Sequence, residues 1–82
     1  MQVGLENLGT VNKNKVRLST DKGSVDIYFS YNTIVAVDRT VSQNKWSKTT
    51  GKFLNELQPD KKARVPHEQV MQEANKRIKS IL

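Results

Sequence analysis

Residues Val25–Val37, with the sequence VDIYFSYNTIVAV, decide the fold of this chain. The first five residues alternate apolar side chains with polar or amphipathic ones, which is the period of two of a half-buried β-strand. Tyr31 and Asn32 then indicate a tight turn. The run Thr33–Val37 is apolar and rich in β-branched residues, so it predicts a central strand that is buried on both faces.

Strand patterns continue on both sides of this stretch. Val16 and Leu18 alternate with charged and polar residues, and Thr20–Gly23 is turn material that ends on a glycine able to adopt positive φ. Gly4–Val11 predicts an edge strand, and Thr40–Lys45 predicts a further short strand. The sequence therefore predicts an antiparallel sheet of three to four strands.

The pattern changes from strand to helix after Trp46. Ser47 suits a helix N-cap, the apolar residues as far as Leu57 follow helical spacing, and Pro59 ends the helix. Pro66 suits the first position of a second helix. The apolar stripe of this second helix comprises Val70, Met71, Ala74, Ile78, Ile81 and Leu82. We expect both helices to pack on one face of the sheet, giving a single α+β domain over residues 1–82.

Gly51 lies inside the first predicted helix, where glycine costs about 1 kcal/mol relative to alanine. Either the backbone approaches another surface closely at this point, or the first turn of the helix is frayed. Thr50-Gly51-Lys52 is superficially similar to the end of a phosphate-binding loop. The loop motif is incomplete, because Trp46 occupies the place of its other glycine and Phe53 occupies the place of its Ser or Thr.

The positive charge is concentrated in the second half of the chain. The 82 residues carry a net charge of +6, and residues 42–82 hold nine Lys and Arg against four acidic residues. Residues 1–41 hold five against four. This asymmetry favours an anionic partner such as nucleic acid, a nucleotide or an acidic protein surface. The alternative is that the charge only keeps a small domain soluble and monomeric.

Catalytic and metal-binding chemistry finds little support in the sequence. The single histidine, His67, is expected on the surface at a helix start, and the acidic residues are scattered singly. The absence of cysteine excludes disulfides and thiolate metal sites. We therefore expect a protein that is not an enzyme, binds no metal and needs no cofactor.

No targeting or membrane segment is visible in the sequence. Residues Met1–Leu8 lack the basic start and the apolar region of a signal peptide. No apolar run approaches the roughly 18 residues that a membrane span requires. We expect a cytoplasmic protein that does not bind a membrane.

The segment Asn44–Asn55 predicts a surface for an anionic partner. It contains the only tryptophan, three hydroxyl side chains in four residues, and three lysines. The N–H groups at a helix start favour an anion, although ordinary capping beside solvated lysines explains the same residues. The candidate nucleic-acid or anion-binding residues are Lys45, Trp46, Ser47, Lys48, Thr49, Thr50, Lys52, Lys61, Lys62 and Arg64.

Aromatic residues and a second basic cluster extend this hypothesis. Trp46 is either a hydrophobic staple before the Ser47 cap or a platform for recognition. Tyr28 lies on the opposite strand face from the apolar residues and Tyr31 lies in a turn, so both are possible stacking residues. A second basic cluster would enlarge the surface if it lay on the same side of the molecule. It comprises Lys13, Lys15 and Arg17.

Two segments, Tyr28–Ala36 and Trp46–Asn55, resemble a group of small bacteriophage and prophage proteins of no established activity. That group joins a Phe-Ser-Tyr-x-Thr-x-Val-Ala strand pair to a Trp-Ser-x-Thr-Thr-Gly-Lys-His-Leu-Asn helix start. This chain has FSYNTIVA and WSKTTGKFLN at the matching positions. Phe53 stands where the group often has histidine, so no role of that histidine is carried over. The resemblance implies a phage origin and an accessory product that binds something in the cytoplasm of an infected host cell.

These features lead us to expect a non-enzymatic, phage-type binding domain. Its partner would be nucleic acid or a host protein that handles nucleic acid. One alternative is an anti-defence inhibitor that acts by protein–protein contact. Another is a protein that sequesters a nucleotide at the Ser47–Lys52 helix start. A homo-oligomer would form through the exposed part of the second helix, at Val70, Met71, Ala74 and Ile78.

Overall fold

The protein, described by a computed structural model over residues 1–9 and 12–82, is an α+β domain built on one antiparallel sheet. Five strands follow one another in the order β1-β2-β3-β4-β5, so each strand pairs with its neighbours in the chain. The strands are β1 (Gln2–Asn7), β2 (Lys13–Thr20), β3 (Gly23–Ser30), β4 (Thr33–Val37) and β5 (Thr40–Val41). The helices are α1 (Lys48–Leu57), a short 3₁₀ helix (Lys61–Ala63) and α2 (His67–Ile81).

The sheet has five strands rather than the predicted three to four. The predicted edge strand at Gly4–Val11 exists as β1, with bounds Gln2–Asn7; the end of that prediction, at residues 10 and 11, lies outside the described residues. The strand predicted at Thr40–Lys45 is limited to two residues. It is short because the chain turns away at Ser42, which forms a parallel bridge with Val65 of the returning segment.

The predicted turns are confirmed at both hairpins around β3. Gly23 ends the turn after β2 with φ of 142°, a conformation that glycine adopts without a steric penalty. Tyr31 lies in the tight turn between β3 and β4 and adopts φ of 56°. Asp38 adopts φ of 50° in the next turn, and its carboxylate accepts a hydrogen bond of 3.0 Å from the Asp26 backbone N–H. The side chain of Asp38 therefore joins the β4–β5 turn to β3.

The two helices lie on opposite faces of the sheet, so the prediction of one shared face is wrong. Ile27 and Val37 pack with residues of α2, whereas Tyr28 and Ala36 pack with residues of α1. Neighbouring residues of a strand point to opposite faces. A register shift in the β3–β4 pairing places Val35 as an extra residue opposite Tyr28, on the α1 side.

The burial of β4 explains this arrangement. The last three residues of β4, Val35, Ala36 and Val37, are fully buried. A strand that is buried on both faces needs cover on both faces, which two helices on one side cannot supply. The sequence prediction of a doubly buried strand was therefore correct, and it was inconsistent with the predicted helix placement.

Each helix begins close to its predicted position. Ser47 is the N-cap of α1, and its hydroxyl accepts a hydrogen bond of 3.3 Å from the Thr50 backbone N–H. Pro66 is the N-cap of α2, one residue before the helical position predicted for it. Neither helix of the described chain is long and apolar enough to cross a membrane.

The apolar stripe of α2 forms core contacts within one chain. Val70, Ala74 and Ile81 are buried against the sheet, and Ile78 packs beside them. The oligomer contact predicted at Val70, Met71, Ala74 and Ile78 is therefore not available to a second copy in this fold, since only Met71 is exposed.

Candidate anion-binding cleft

Helix α1 divides its residues between the core and an open surface. Thr50, Phe53 and Leu54 are buried against the sheet. Lys48 and Lys52, one turn apart, lie on another side of the helix and line a cleft, and Asn55 continues the same row. The helical spacing that builds the core thus also aligns two lysines and an amide along one wall.

The cleft has a volume of about 450 Å³ and contains four cationic side chains without a carboxylate. One wall is α1; the other comes from the segment after β5 and from the 3₁₀ helix region. We call it the basic cleft and define it by Gln43, Asn44, Lys48, Gly51, Lys52, Asn55, Lys61 and Arg64. The four predicted residues that meet here are Lys48, Lys52, Lys61 and Arg64.

Backbone hydrogen bonds hold the second wall in place. The Gln43 N–H donates to the Val65 carbonyl at 2.7 Å, and the Val65 N–H donates to the Val41 carbonyl at 2.9 Å. Asp60 caps the 3₁₀ helix by accepting a hydrogen bond of 3.0 Å from the Lys62 N–H. The returning chain therefore runs beside β5 and brings Lys61 to the same opening as Lys48.

Arg64 differs from the three lysines because it is buried. The residue is only 6% exposed, whereas Lys61 and Lys62 beside it in the chain are exposed. Its Nε donates to the Gln58 carbonyl at 3.0 Å, and its Nη2 donates to the Asn55 side-chain oxygen. No ion pair of the described residues includes Arg64. Arg64 is thus a mostly buried residue that lines the basic cleft and whose side chain has only neutral hydrogen-bond partners.

Asn44 shapes the rim of the basic cleft. Its Oδ1 accepts a hydrogen bond of 3.0 Å from the Trp46 N–H, and its Nδ2 donates to the Ser47 carbonyl at 3.2 Å. A Cβ atom added to Gly51 would lie 2.8 Å from this Nδ2. Of the two interpretations of Gly51, the structure therefore supports the close approach of another surface.

Trp46 is partly packed and partly open. Its ring meets the His67 ring edge-on at a centroid distance of 5.1 Å, and 36% of the residue remains exposed. A hydrophobic staple requires a side chain at the fourth helical position, which is Gly51 here, so the staple interpretation is wrong. Lys45 places its ammonium group 5.8 Å from the indole centroid.

A second, smaller depression lies at the other side of the α1 start. It has a volume of about 130 Å³ and brings Trp46 together with Tyr31, which is exposed. We call it the aromatic notch and define it by Ser30, Tyr31, Thr33, Val35, Trp46, Ser47 and Thr50. The Thr50 hydroxyl is buried at its base, 2.9 Å from the Ser30 hydroxyl. Thr50 therefore acts in the scaffold rather than as a surface donor.

Several other predicted residues lie away from the basic cleft. Tyr28 is half-buried under α1, with the Lys15 ammonium 5.7 Å from its ring, so it is not an open stacking surface. Thr49 and Lys62 are exposed and do not line the cleft. Lys45 lines a neighbouring depression that shares Gln43 and Asn44 with the cleft.

The second basic cluster does not extend the cleft, because its charges are paired. The Lys13 ammonium lies 3.1 Å from a Glu56 carboxylate oxygen of α1. Arg17 and Lys15 both pair with Asp26, at 2.7 and 3.7 Å. The Arg17 hydrogen bond is the main cause that lowers the pKa of the Asp26 carboxyl, and the same contact raises the pKa of Arg17.

His67 is not the simple surface residue that the sequence predicted. It is half-buried, and its Nε2 lies 2.9 Å from the Ile34 carbonyl oxygen. With Trp46 it fixes the start of α2 against β4. Within residues 1–9 and 12–82, no group of three or more His, Asp or Glu side chains is arranged to hold a metal ion.

The amide residues of the basic cleft were missed by sequence reasoning. Gln43, Asn44 and Asn55 supply donors and acceptors between the four cations. One signal was present for Asn55, which lies seven residues after Lys48 and therefore on the same side of a helix. No comparable pattern marks Gln43, whose place depends on the bridge between Ser42 and Val65.

The chain belongs to a family described as "Family of unknown function (DUF8033)", whose model matches residues 2–73. The match covers the sheet, α1 and the basic cleft, and it ends within α2. No curated protein and no solved structure matches the chain significantly.

Proposed function

We propose that this member of the family binds nucleic acid through the basic cleft without catalysing a reaction. Phosphate groups would lie between the α1 lysines and Lys61, and an unstacked base would contact Trp46 and Tyr31 at the aromatic notch. The positive charge concentrated in residues 42–82 supports this proposal. The resemblance to small bacteriophage and prophage proteins of no established activity fits an accessory protein that binds a partner.

The mostly buried Arg64, which forms no ion pair among the described residues, carries the argument. Removing part of a charged side chain from water without a counterion is costly, and an anion at the cleft would offset that cost. Lys48, Lys52 and Lys61 line the same cavity, so their mutual repulsion would also fall when an anion binds. No carboxylate among the cleft residues competes for these charges.

The arrangement favours a flexible strand over a duplex. The basic cleft and the aromatic notch flank the start of α1, where Ser47 lines the notch and Lys48 lines the cleft. Stacking on an aromatic side chain requires an unpaired base, while phosphate contacts alone serve either form. We therefore expect single-stranded DNA or RNA to bind more tightly than a duplex of the same length.

The test is a fluorescence-anisotropy titration with labelled single and double strands of about 12 nucleotides. Binding should weaken as salt rises, and Lys52→Gln or Lys61→Gln should each lower the slope of log K against log salt by roughly 0.7 on single strands. Lys76→Gln, on the exposed surface of α2, is the matched control and should leave the slope unchanged. Absence of binding at low salt, or equal slopes for all variants, would reject the proposal.

A second candidate, nucleotide sequestration, is favoured by the concave shape of the site. A cleft of about 450 Å³ lies within the range of small-molecule sites, and three amides supply donors and acceptors for a base. A nucleoside triphosphate that raises the melting temperature more than an equal concentration of tripolyphosphate would favour this candidate. If neither strands nor nucleotides bind, the remaining alternative is an anti-defence inhibitor that acts by protein–protein contact.

A further inference from the structure

The two edges of the sheet differ in how far the rest of the chain covers them. At the β5 edge, the Val65 segment pairs with Ser42 and covers the end of the sheet. At the other edge, β1 pairs with β2 alone among the described strands, and all six of its residues are exposed. Exposed strand edges are templates for pairing with another chain, and proteins usually protect them with charges, proline or bulges. β1 carries a single charged residue, Glu6, and no proline.

The hydrogen-bond pattern shows which backbone groups point to the open edge. The Leu8 N–H donates to the Lys13 carbonyl at 2.9 Å, so Leu8 and Lys13 form a hydrogen-bonded pair. Such pairs alternate along an antiparallel ladder, which places Gly4, paired with Arg17, in the same class. Val3 and Leu5 therefore point their backbone N–H and C=O groups away from β2.

The side chains of Val3 and Leu5 are the apolar part of this edge. Val3 is 66% exposed and Leu5 is 75% exposed. They lie opposite Leu18 and Val16 of β2, on the sheet face that carries α2. The helix packs on Leu18 but leaves both β1 side chains uncovered. An apolar strip thus continues from the core to the open edge of the sheet.

We infer that β1 pairs with β1 of a second copy of this chain, antiparallel and about a two-fold axis at Gly4. In this register Val3 lies opposite Leu5 of the other copy, and the outward backbone groups of both residues form mutual hydrogen bonds. Leu18, Val3 and the second copy's Leu5 and Val16 then form one apolar row across four strands. Glu6 lies opposite the second copy's Gln2, whose amide donates to the carboxylate. No like charges face each other in this register.

The result is a ten-stranded sheet with defined placement of the two subunits. The two-fold axis is perpendicular to the sheet, so both α1 helices lie on one face. If the proposed function also holds, one strand of nucleic acid meets two basic clefts on the same face. The strand edge contributes less than the roughly 800 Å² per partner of a standard interface, so we expect a dimer in the micromolar range or weaker.

Cysteine cross-linking tests the pairing, because the chain has no cysteine of its own. Gly4 and its counterpart would form a non-hydrogen-bonded pair with Cα atoms about 4.5 Å apart, within disulfide range. A Cβ at Gly4 meets only ordinary contacts, at 3.9 Å from Arg17. Under mild oxidation, Gly4→Cys should therefore form a covalent dimer at least about tenfold faster than Gln72→Cys, an exposed control on α2.

Sedimentation of uncrosslinked protein gives the second measurement. The wild-type chain should shift from monomer to dimer with rising concentration, and Leu5→Lys should remain monomeric with an unchanged fold. Cross-linking of Gly4→Cys no faster than the control, or a Leu5→Lys variant that dimerises like the wild type, would overturn the inference. Faster cross-linking of Leu5→Cys than of Gly4→Cys would overturn the proposed register. Neither readout depends on nucleic acid, so failure of the dimer and failure of the cleft are distinguishable.

Discussion

The two helices both carry basic side chains, but they use them in different ways. On α2, Arg77 donates to the Asp38 carboxylate at 3.0 Å and to the Ser24 carbonyl at 3.4 Å. On α1, Lys48 and Lys52 form no ion pair with any described residue and line the basic cleft. Arg77 of α2 therefore stabilises the fold, whereas Lys48 and Lys52 of α1 are available to a ligand. Amino-acid composition alone does not distinguish these two roles of basic residues.

The ends of the helices show the same contrast. The last carbonyl groups of α2 are held by the β2–β3 turn, since Thr20 donates to Ile81 and the Lys22 ammonium donates to Leu82 at 2.8 Å. α1 ends at Leu57, and the chain after it leads directly to the second wall of the cleft. Both helices are thus held to the sheet, since Thr50 and Glu56 of α1 contact β3 and β2, but only α1 also borders the basic cleft.

The largest expected effect tests whether α1 is nevertheless part of the core. Leu54 is fully buried between α1 and the sheet, and Leu54→Ala leaves a cavity there. We expect a loss of about 2–5 kcal/mol in the free energy of unfolding, measured by urea denaturation. Met71→Ala, on the exposed side of α2, is the control and should change stability far less. A mild effect of Leu54→Ala would mean that α1 is only loosely attached to the sheet.

The next effect concerns the contact that fixes α2. Asp38→Ala removes the acceptor for the Asp26 N–H and the partner of Arg77, and it places alanine at positive φ. We expect a loss of about 1–3 kcal/mol by the same denaturation measurement. Asp38→Asn keeps an acceptor and tolerates this φ, so its loss should be clearly smaller. Equal losses for the two variants would show that the negative charge of Asp38, rather than its hydrogen bond to the Asp26 N–H or its positive φ, accounts for the stabilisation.

The sequence was sufficient to predict those features that depend only on residues close together in the chain. The hairpin around Gly23, the N-cap at Ser47 and the doubly buried β4 follow from local patterns, and the structure confirms all three. Helical spacing also placed Lys48 and Lys52 on one side of α1, and the structure brings Lys61 to the same cleft.

The predictions that were wrong concern features that depend on contacts between distant segments of the chain. The extra residue Val35 in the β3–β4 pairing supports a second apolar face, and no sequence period marks it. Arg64 follows two exposed lysines, yet the chain at the Val65 bridge places it in a mostly buried position against Asn55 of α1. Trp46 packs on His67, 21 positions further along the chain, rather than on its own helix.

A smaller effect on the free energy of unfolding tests the close contact between Asn44 and Gly51 of α1. Alanine normally stabilises a helix by about 1 kcal/mol relative to glycine, but a Cβ at Gly51 would meet the Asn44 amide at 2.8 Å. We therefore expect Gly51→Ala to give no gain in the free energy of unfolding. In an Asn44→Gly background the same change should give most of that gain. A gain from Gly51→Ala in the wild-type chain would mean that Asn44 moves aside at little cost.

The smallest expected effect on stability comes from the ion pairs on β2 and β3, because Arg17 is largely exposed. The Arg17 hydrogen bond holds the pKa of Asp26 below its ordinary value of 3.8. The carboxylate therefore stabilises the folded state above that value, and this contribution is lost as the pH falls through the folded pKa. Arg17→Gln should raise the pKa of Asp26 in a carbon NMR titration, while Lys22→Gln should leave it unchanged. A wild-type pKa at or above 3.8 would show that Arg17 does not hold this carboxylate in solution. The charges of β2 would then not be neutralised within the fold, and they would join the lysines of α1 as charges open to a ligand.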